Sequence, residues 1–217
     1  MSGKPVIIAD DHPLFRSALR QAVEGAAPGR RIVETASLTE ARDAIEKEKP
    51  GLLCLDLHME DSDGFAGLIS LRQEHPALPV AIISGSEEPD VIRRALTFGA
   101  AAFVPKSLDV TEIRAAIAAV LNGDTWSPPV PADPHSDAKA ELTERLASLT
   151  PAQLKVLLFV QKGLLNKQIA FEMSISEATV KAHMTALMRK LNVQTRTQAV
   201  LAASALTAEP DRPRDET

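Results

Sequence analysis

The segment LCLDLHMEDSDGF, residues 53–65, joins an apolar run to four acidic residues within eight positions. Its apolar half is typical of a strand that is buried on both faces of a sheet. The acidic half contains Asp56, Glu60, Asp61 and Asp63, and Asp56 stands where the strand would end. A single acidic residue at a strand end is usually a turn or helix-cap residue. The surrounding chain must therefore decide whether Asp56 has a chemical role.

The first 122 residues alternate short apolar runs with helical patterns. The apolar runs are PVIIA (5–9), RIVETA (31–36), GLLCL (51–55), VAIIS (80–84) and AAFVP (101–105). Helical periodicity fills the gaps, and Ser37 and Glu40 are spaced as a capping box. Five βα units in about 120 residues predict a doubly wound α/β fold with a five-stranded parallel sheet.

Composition excludes several classes of protein. The 217 residues are 45% hydrophobic and 24% charged, and no apolar run approaches the roughly 18 residues that a membrane span needs. The N-terminus reaches Asp10 and Asp11 where a signal peptide would still be apolar, so we expect a cytoplasmic protein without a membrane partner. Cys54 is the only cysteine, which excludes an internal disulfide and a multi-thiolate metal site.

Charge divides the chain into two parts. Residues 1–124 carry 13 Lys and Arg against 19 Asp and Glu, a net charge of −6. Residues 150–206 carry 7 against 2, a net charge of +5. This asymmetry indicates a cation- or phosphate-handling module joined to a module that meets a polyanion.

A proline-rich segment separates the two parts. It contains Pro128, Pro129, Pro131 and Pro134, and it lacks apolar periodicity, which predicts a semi-extended linker. The predicted organisation is a first domain at 1–122, a linker at 123–141, a second domain at 142–207 and a disordered tail at 208–217.

Polar residues follow the predicted strands at their carboxyl ends, where doubly wound sheets bind ligands. Asp10 and Asp11 follow the first strand, Asp56 the third, Ser84 ends the fourth, and Lys106 comes after the fifth. Converging carboxylates favour a divalent cation, and oxygen ligands with room for water favour Mg²⁺. With a hydroxyl and an ammonium group nearby, Asp56 is predicted to accept a phosphoryl group.

The first part resembles the receiver domain of bacterial two-component response regulators, a flavodoxin-like fold. The resemblance rests on IIADDHPLFR, LLCLDLHMEDSDG, AIISG and GAAAFVPKS within residues 4–122. It implies that a sensor histidine kinase phosphorylates Asp56 and that Ser84 and Phe103 respond to the phosphoryl group by moving inward. It also implies that Asp10 and Asp11 bind the metal ion and that Lys106 binds the phosphate.

Three residues of this part depart from the pattern or invite another interpretation. Glu60 stands where the family usually has proline, which adds negative charge near the pocket and frees a backbone N–H group. Phe103 replaces the commoner tyrosine and has no hydroxyl group. We interpret His58 as a partly exposed loop residue at the rim of the site, not as a base or a metal ligand.

The basic part has the pattern of a compact four-helix module. The first predicted helix lies in LTPAQLKVLLFVQKG (149–163), where Thr150 and Gln153 have the spacing of a capping box and Gly163 follows the end of the helix. The second predicted helix is NKQIAFEM (166–173). A tight SIS turn leads to a third helix that Ser176 can cap, and TRTQAVLAASAL supplies the fourth. Two short helices joined by so tight a turn predict a helix-turn-helix that places its second helix in the DNA major groove.

Residues 149–206 resemble the LuxR-type DNA-binding domain through LTPAQLKVL, GLLNKQIA, ISEATVKAHMTALMRKLNV and RTQAV. The resemblance places Lys181, Ala182 and Thr185 toward the groove. It places six residues near phosphates: Asn166, Lys167, His183, Thr195, Arg196 and Thr197. Leu165 departs from the usual serine, so one backbone contact with DNA is expected to be lost.

Together the modules resemble a NarL/FixJ-type response regulator. The resemblance implies a non-enzymatic regulator of transcription that binds double-stranded DNA and forms a homodimer when Asp56 is phosphorylated. Two alternatives remain open at this point. One is an atypical receiver that controls DNA binding without phosphorylation, which Glu60 allows. The other is a Mg²⁺-dependent phosphohydrolase, although His58 stands where such enzymes generally place a second catalytic acid.

Overall fold

The computed structural model describes residues 3–131 and 136–207, with the side chains of 136–138 left aside. The described residues fall into two compact units, one before and one after the gap at 132–135. Each unit has its own core. The predicted disordered tail at 208–217 lies outside the described residues.

A five-stranded parallel sheet forms the centre of the first unit, with the strand order β2-β1-β3-β4-β5. The strands are β1 (Val6–Ala9), β2 (Ile32–Thr35), β3 (Leu52–Asp56), β4 (Val80–Ser84) and β5 (Ala102–Pro105). Each lies within one residue of its predicted apolar run, so the predicted fold class is confirmed for this unit. The order reverses between β1 and β3, which pair with Val6 beside Leu52.

Five helices cover the two faces of this sheet. They are α1 (Pro13–Ala26), α2 (Leu38–Glu48), α3 (Phe65–Glu74), α4 (Pro89–Thr97) and α5 (Val110–Leu121). Alternate strand residues, such as Ile8 and Cys54, share a core with the buried sides of α1 and α5. Because successive side chains point to opposite faces of a sheet, Ile7 and Leu53 are buried on the other face.

The predicted cap of α2 forms with one change. Ser37 Oγ accepts a hydrogen bond from Glu40 N at 3.1 Å, as the capping-box spacing predicts. The Glu40 carboxylate, however, accepts from Ala36 N at 2.9 Å and does not complete a box with Ser37.

The second unit is built from helices in its described part. They are α6 (Ser136–Ala147), α7 (Pro151–Gln161), α8 (Asn166–Met173), α9 (Glu177–Leu191) and α10 (Arg196–Ala203), followed by a 3₁₀ turn at Ser204–Leu206. The capping box of Thr150 with Gln153 is present, and Ser176 Oγ accepts from Thr179 N at 3.0 Å. The apolar stripe of α9 is buried and consists of Val180, Met184, Leu187 and Leu191.

One sequence prediction about this unit is wrong. The linker was expected to continue to residue 141, but helix α6 begins at Ser136. The prolines stop at Pro134, and the segment that follows is rich in Ala, Glu and Leu, which favour helix. The four helices predicted within residues 149–206 are present as α7–α10, and α6 precedes them with its Leu146 fully buried.

In the described ranges, none of the helices combines the length and the apolar character that crossing a membrane requires.

Candidate functional site

The sheet brings two carboxylates together at its carboxyl edge. Asp10 directly follows β1, and Asp56 is the last residue of the neighbouring strand β3. Both side chains are fully buried. They flank the point at which the strand order reverses, where α/β sheets of this kind form a crevice.

Lys106 bridges the two carboxylates from the loop after β5. Its Nζ atom lies 2.8 Å from Asp56 Oδ2 and 2.9 Å from Asp10 Oδ2. The same Nζ atom lies 4.9 Å from the centre of the Phe15 ring, within the range of a cation–π contact. The structure therefore places the predicted lysine directly on the predicted phosphoacceptor.

The environment keeps Asp56 ionised although it is buried. Burial by itself would raise the pKa of its carboxyl group. Hydrogen bonds from His58 and Lys106, together with the positive charge of Lys106, outweigh that effect and lower the pKa of Asp56 to about 2. At neutral pH the side chain is thus a carboxylate, the form that can attack phosphorus.

A divalent cation fits this cluster. Ligand atoms of Asp10, Asp11, His12 and Asp56 all lie within 4.8 Å of one another. Asp10 Oδ2 and Asp11 Oδ1 are buried and accept no hydrogen bond from the described residues, although Lys106 and His12 stand at ion-pair distance. Carboxylate oxygens of this kind are the ligands that Mg²⁺ prefers, which favours the predicted metal.

His12 was missed by the sequence analysis. Its Nδ1 atom lies 2.6 Å from Asp11 Oδ1 and 3.8 Å from Asp56 Oδ2, and its side chain is 64% exposed. The position directly after two acidic residues at a strand end was the available signal. His58, at the opposite rim, donates its backbone N–H to Asp56 Oδ1 at 3.0 Å.

Ser84 and Phe103 are fully buried near the same edge of the sheet. Ser84 Oγ accepts a hydrogen bond from Ser86 N at 3.1 Å, and Ser84 O accepts from Lys106 N at 2.7 Å. Phe103 was expected to swing inward on phosphorylation, but its ring already occupies the interior. The inward movement predicted for this ring is therefore not available from the conformation described.

In the second unit, helix α9 presents a polar face opposite its buried stripe. Lys181, Ala182 and Thr185 are exposed, as expected of residues that reach into a groove, and His183 is half-buried. Thr185 Oγ1 donates to Lys181 O at 3.0 Å. This face carries the groove-facing residues predicted from the sequence.

Five of the six residues predicted to lie near phosphates stand at the starts of α8 and α10, and the sixth, His183, lies in α9. Lys167, Thr195 and Thr197 are exposed. Arg196 instead reaches across, and its guanidinium donates to Asn166 Oδ1 at 3.1 Å and to the carbonyl of Leu164. Arg196 therefore ties α10 to the start of α8 in addition to any role on DNA.

Replacing Arg196 is expected to affect stability as well as DNA affinity. The Arg196→Ala change removes hydrogen bonds from a charged donor and should lower the free energy of unfolding of this unit by about 1–3 kcal/mol. Urea denaturation followed by circular dichroism measures the change. The control is Thr197→Ala, in the same helix turn and without these hydrogen bonds, and it should shift the unfolding midpoint much less. Equal shifts in the two variants would contradict the view that the Arg196 hydrogen bonds stabilise the unit.

Comparisons with known proteins assign each of the two units to a family. Residues 6–118 match the family described as response regulator receiver domain, and residues 147–203 match the bacterial regulatory proteins of the luxR family. A buried phosphoacceptor-type pocket and a helix-turn-helix on one chain thus define a response regulator, and the chain belongs to that family. It is a two-component response regulator with a receiver domain and a luxR-type DNA-binding domain.

Several relatives share this arrangement along nearly their whole length. The glycerol metabolism activator of Pseudomonas putida is 40% identical, covering 91% of this chain and 94% of that protein. The response regulator protein VraR of Staphylococcus aureus strain N315 is 29% identical, covering 91% and 95%. The solved structure of Salmonella enterica serovar Typhimurium RcsB bound to a promoter shares the fold, with a TM-score of 0.55, 23% identity and coverage of 95% and 100%.

Proposed function

We propose that Asp56 is the phosphoacceptor of this response regulator and that its phosphorylation controls DNA binding by the second unit. The observation that carries the proposal is the fully buried Asp56 carboxyl group with Lys106 Nζ at 2.8 Å. The phosphodonor would be the phosphohistidine of a sensor histidine kinase, and the protein would act as a switch and not as an enzyme. A cytoplasmic location belongs to the same proposal.

In the proposed transfer, a carboxylate oxygen of Asp56 attacks the phosphorus atom. The bond from phosphorus to the donor's imidazole nitrogen breaks, and its electron pair stays on that nitrogen. Lys106 and the buried Ser84 hydroxyl would stabilise the phosphoryl oxygens by charge and by a hydrogen bond. Asp10, Asp11 and Asp56 would hold Mg²⁺, which when bound offsets the negative charge that gathers on the phosphoryl group.

The DNA-binding part of the proposal rests on the exposed face of α9. Lys181 can donate to guanine O6 and N7, and the Thr185 methyl group can contact a thymine methyl. Exposed Lys167 and the hydroxyls of Thr195 and Thr197 would contact phosphates, which fix the position of the helix without reading sequence. Asn166, held by Arg196, and the half-buried His183 would support these contacts from the flanks.

We further propose that the phosphorylated protein binds DNA as a homodimer. One helix-turn-helix module has a small footprint, and two modules on two half-sites supply the affinity that one lacks. RcsB, which shares the fold, has been solved as two dimers bound to two parallel DNAs and also with the phosphomimetic BeF3⁻.

Phosphorylation is therefore expected to shift the protein from monomer toward dimer. Light scattering across a concentration series, before and after treatment with a small-molecule phosphodonor and Mg²⁺, should show the mass rising toward twice that of the 23.3 kDa chain. Asp56→Asn provides the control and should stay monomeric. An unchanged mass at tens of micromolar, with stoichiometric phosphate confirmed, would count against pairing.

Phosphate incorporation also separates the two alternatives. An atypical receiver would take up no phosphate, whereas a phosphohydrolase would release inorganic phosphate from many small phosphate esters with repeated turnover. The regulator proposed here takes up one phosphate per chain. The exposed face of α9 favours it over the hydrolase, since a hydrolase has no use for that face.

A further inference from the structure

The loop that follows Asp56 is fastened to helix α2 by the carboxylate of Asp61. Asp61 Oδ1 accepts a hydrogen bond from Leu38 N at 2.8 Å. Asp61 Oδ2 accepts from Thr39 N at 2.8 Å and from Thr39 Oγ1 at 2.9 Å. Leu38 and Thr39 open α2, and the amide groups in the first turn of a helix have no partner within the helix.

These bonds are of the strong kind. A carboxylate that accepts from amide groups at a helix N-terminus makes charge-assisted hydrogen bonds and interacts favourably with the helix dipole. Burial would raise the pKa of Asp61, but the hydrogen bonds from Leu38 and Thr39 outweigh it, so that the pKa is lowered. Ser37 already satisfies Glu40 N, so Asp61 completes the cap from 23 residues away.

The same loop, residues 57–64, also contacts the phosphoacceptor through its N-terminal end. The backbone N–H of His58 donates to Asp56 Oδ1, and the Met59 side chain is buried. Ser62 Oγ donates to Leu57 O at 2.7 Å, which folds the loop back on itself. The loop is thus held to α2 through Asp61 and to the phosphoacceptor through His58.

We infer that Asp61 is a positioning residue for the phosphorylation of Asp56, because it holds the loop 57–64 against α2. The inference rests on the proposed function of Asp56. Without the Asp61 carboxylate the loop samples further conformations, and fewer molecules have the His58 N–H group on Asp56 Oδ1. The rate of phosphoryl uptake falls with the fraction of molecules in the competent conformation.

Full-length variants test this inference through the rate of phosphate uptake from a small phosphodonor at saturating Mg²⁺. At saturating donor, Asp61→Ala should lower the rate constant about five- to tenfold, and Asp61→Asn less, because its amide oxygen still accepts one hydrogen bond. Asp43→Asn, which removes the same charge from an exposed position of α2 away from the pocket, is the control and should stay within about twofold. Circular dichroism confirms that each variant is folded at the assay temperature.

A second variant on the helix side distinguishes positioning from a general loss of stability. Thr39→Val removes one donor to Asp61 and should slow uptake about twofold in the wild-type background. In the Asp61→Ala background it should change nothing further, because the contact is already gone. A further slowing there would contradict the inference.

The outcomes separate the inference from the function on which it rests. If the wild-type protein takes up no phosphate on Asp56, the proposed function fails and the inference fails with it. If wild-type uptake is normal and folded Asp61→Ala matches it within about twofold, the inference alone is overturned. Faster amide hydrogen exchange at Leu38 and Thr39 in Asp61→Ala, together with slower uptake, supports it.

Discussion

Asp56→Asn is expected to take up no measurable phosphate, a loss of at least about a hundredfold in the rate of incorporation. The wild-type protein, incubated with Mg²⁺ and a small-molecule phosphodonor, should carry one acyl phosphate per chain. The Asp56→Asn variant takes up no phosphate because the asparagine amide keeps the size of the side chain but lacks the nucleophilic carboxylate. Mass spectrometry of intact protein and of its peptides measures the stoichiometry and the position.

The chemistry of the bond provides a further check on this result. An acyl phosphate is cleaved by hydroxylamine, whereas phosphate esters of serine or threonine resist it. Ser84→Ala is the matched control, because it removes a neighbouring hydroxyl from the pocket but keeps the nucleophile, and it should retain phosphate on Asp56. Phosphate found on another residue, or at the wild-type level in Asp56→Asn, would falsify the assignment.

The sequence predicted the strands of the receiver and the residues at their carboxyl ends, because an apolar run of this length is compatible with few structures other than a buried strand. Almost wholly apolar runs predicted β1, β3, β4 and β5 to within one residue, because a strand covered on both faces tolerates little else. The edge strand β2 was predicted from RIVETA, which is interrupted by Glu34, and it is only partly buried. The positions of Asp10, Asp56 and Lys106 then followed from the rule that parallel strands end at the same edge. Their mutual distances of 2.8 and 2.9 Å needed the structure.

The contacts that the sequence did not reveal join residues that only the fold brings together. Asp61 was one of four acids in a loop, and nothing in its neighbourhood indicated that it would cap a helix 23 residues earlier. His12 was given no role from the sequence, and only the fold brings its Nδ1 atom to 3.8 Å from Asp56 Oδ2. An exposed polar side chain can make many different contacts, and the tertiary structure determines which of them it makes.

The second unit shows the same division between pattern and contact. Capping boxes predicted the start of α7, and the apolar stripe of α9 predicted its buried side. Helix α6 was missed because the prolines before it dominated the interpretation of the segment. The prediction that Arg196 contacts a phosphate stays a prediction, and the hydrogen bonds of its guanidinium to Leu164 O and Asn166 Oδ1 needed the structure.

The second large expected effect concerns DNA binding by the isolated segment 136–207. This segment is a compact unit with its own core, and it carries 9 Lys and Arg against 5 Asp and Glu. We expect it to bind duplex DNA without any phosphate on the protein, because its exposed α9 face does not depend on the acidic receiver. Affinity should fall steeply with salt, with a log–log slope of about −0.9 for each phosphate neutralised.

Lys181 is expected to contribute to the preference for one DNA sequence, whereas other basic side chains should contribute equally to the affinity for all DNA sequences. If Lys181 pairs with a base, Lys181→Ala is expected to weaken binding to the preferred duplex by about 1–3 kcal/mol and to leave a scrambled duplex nearly unaffected. Lys155→Ala, which removes the same charge from α7, is the matched control and should lower both affinities slightly and equally. Fluorescence titration of both duplexes at several salt concentrations measures affinity, discrimination and slope together. Binding that ignores salt, or unchanged discrimination in Lys181→Ala, would show that the α9 face does not read the major groove.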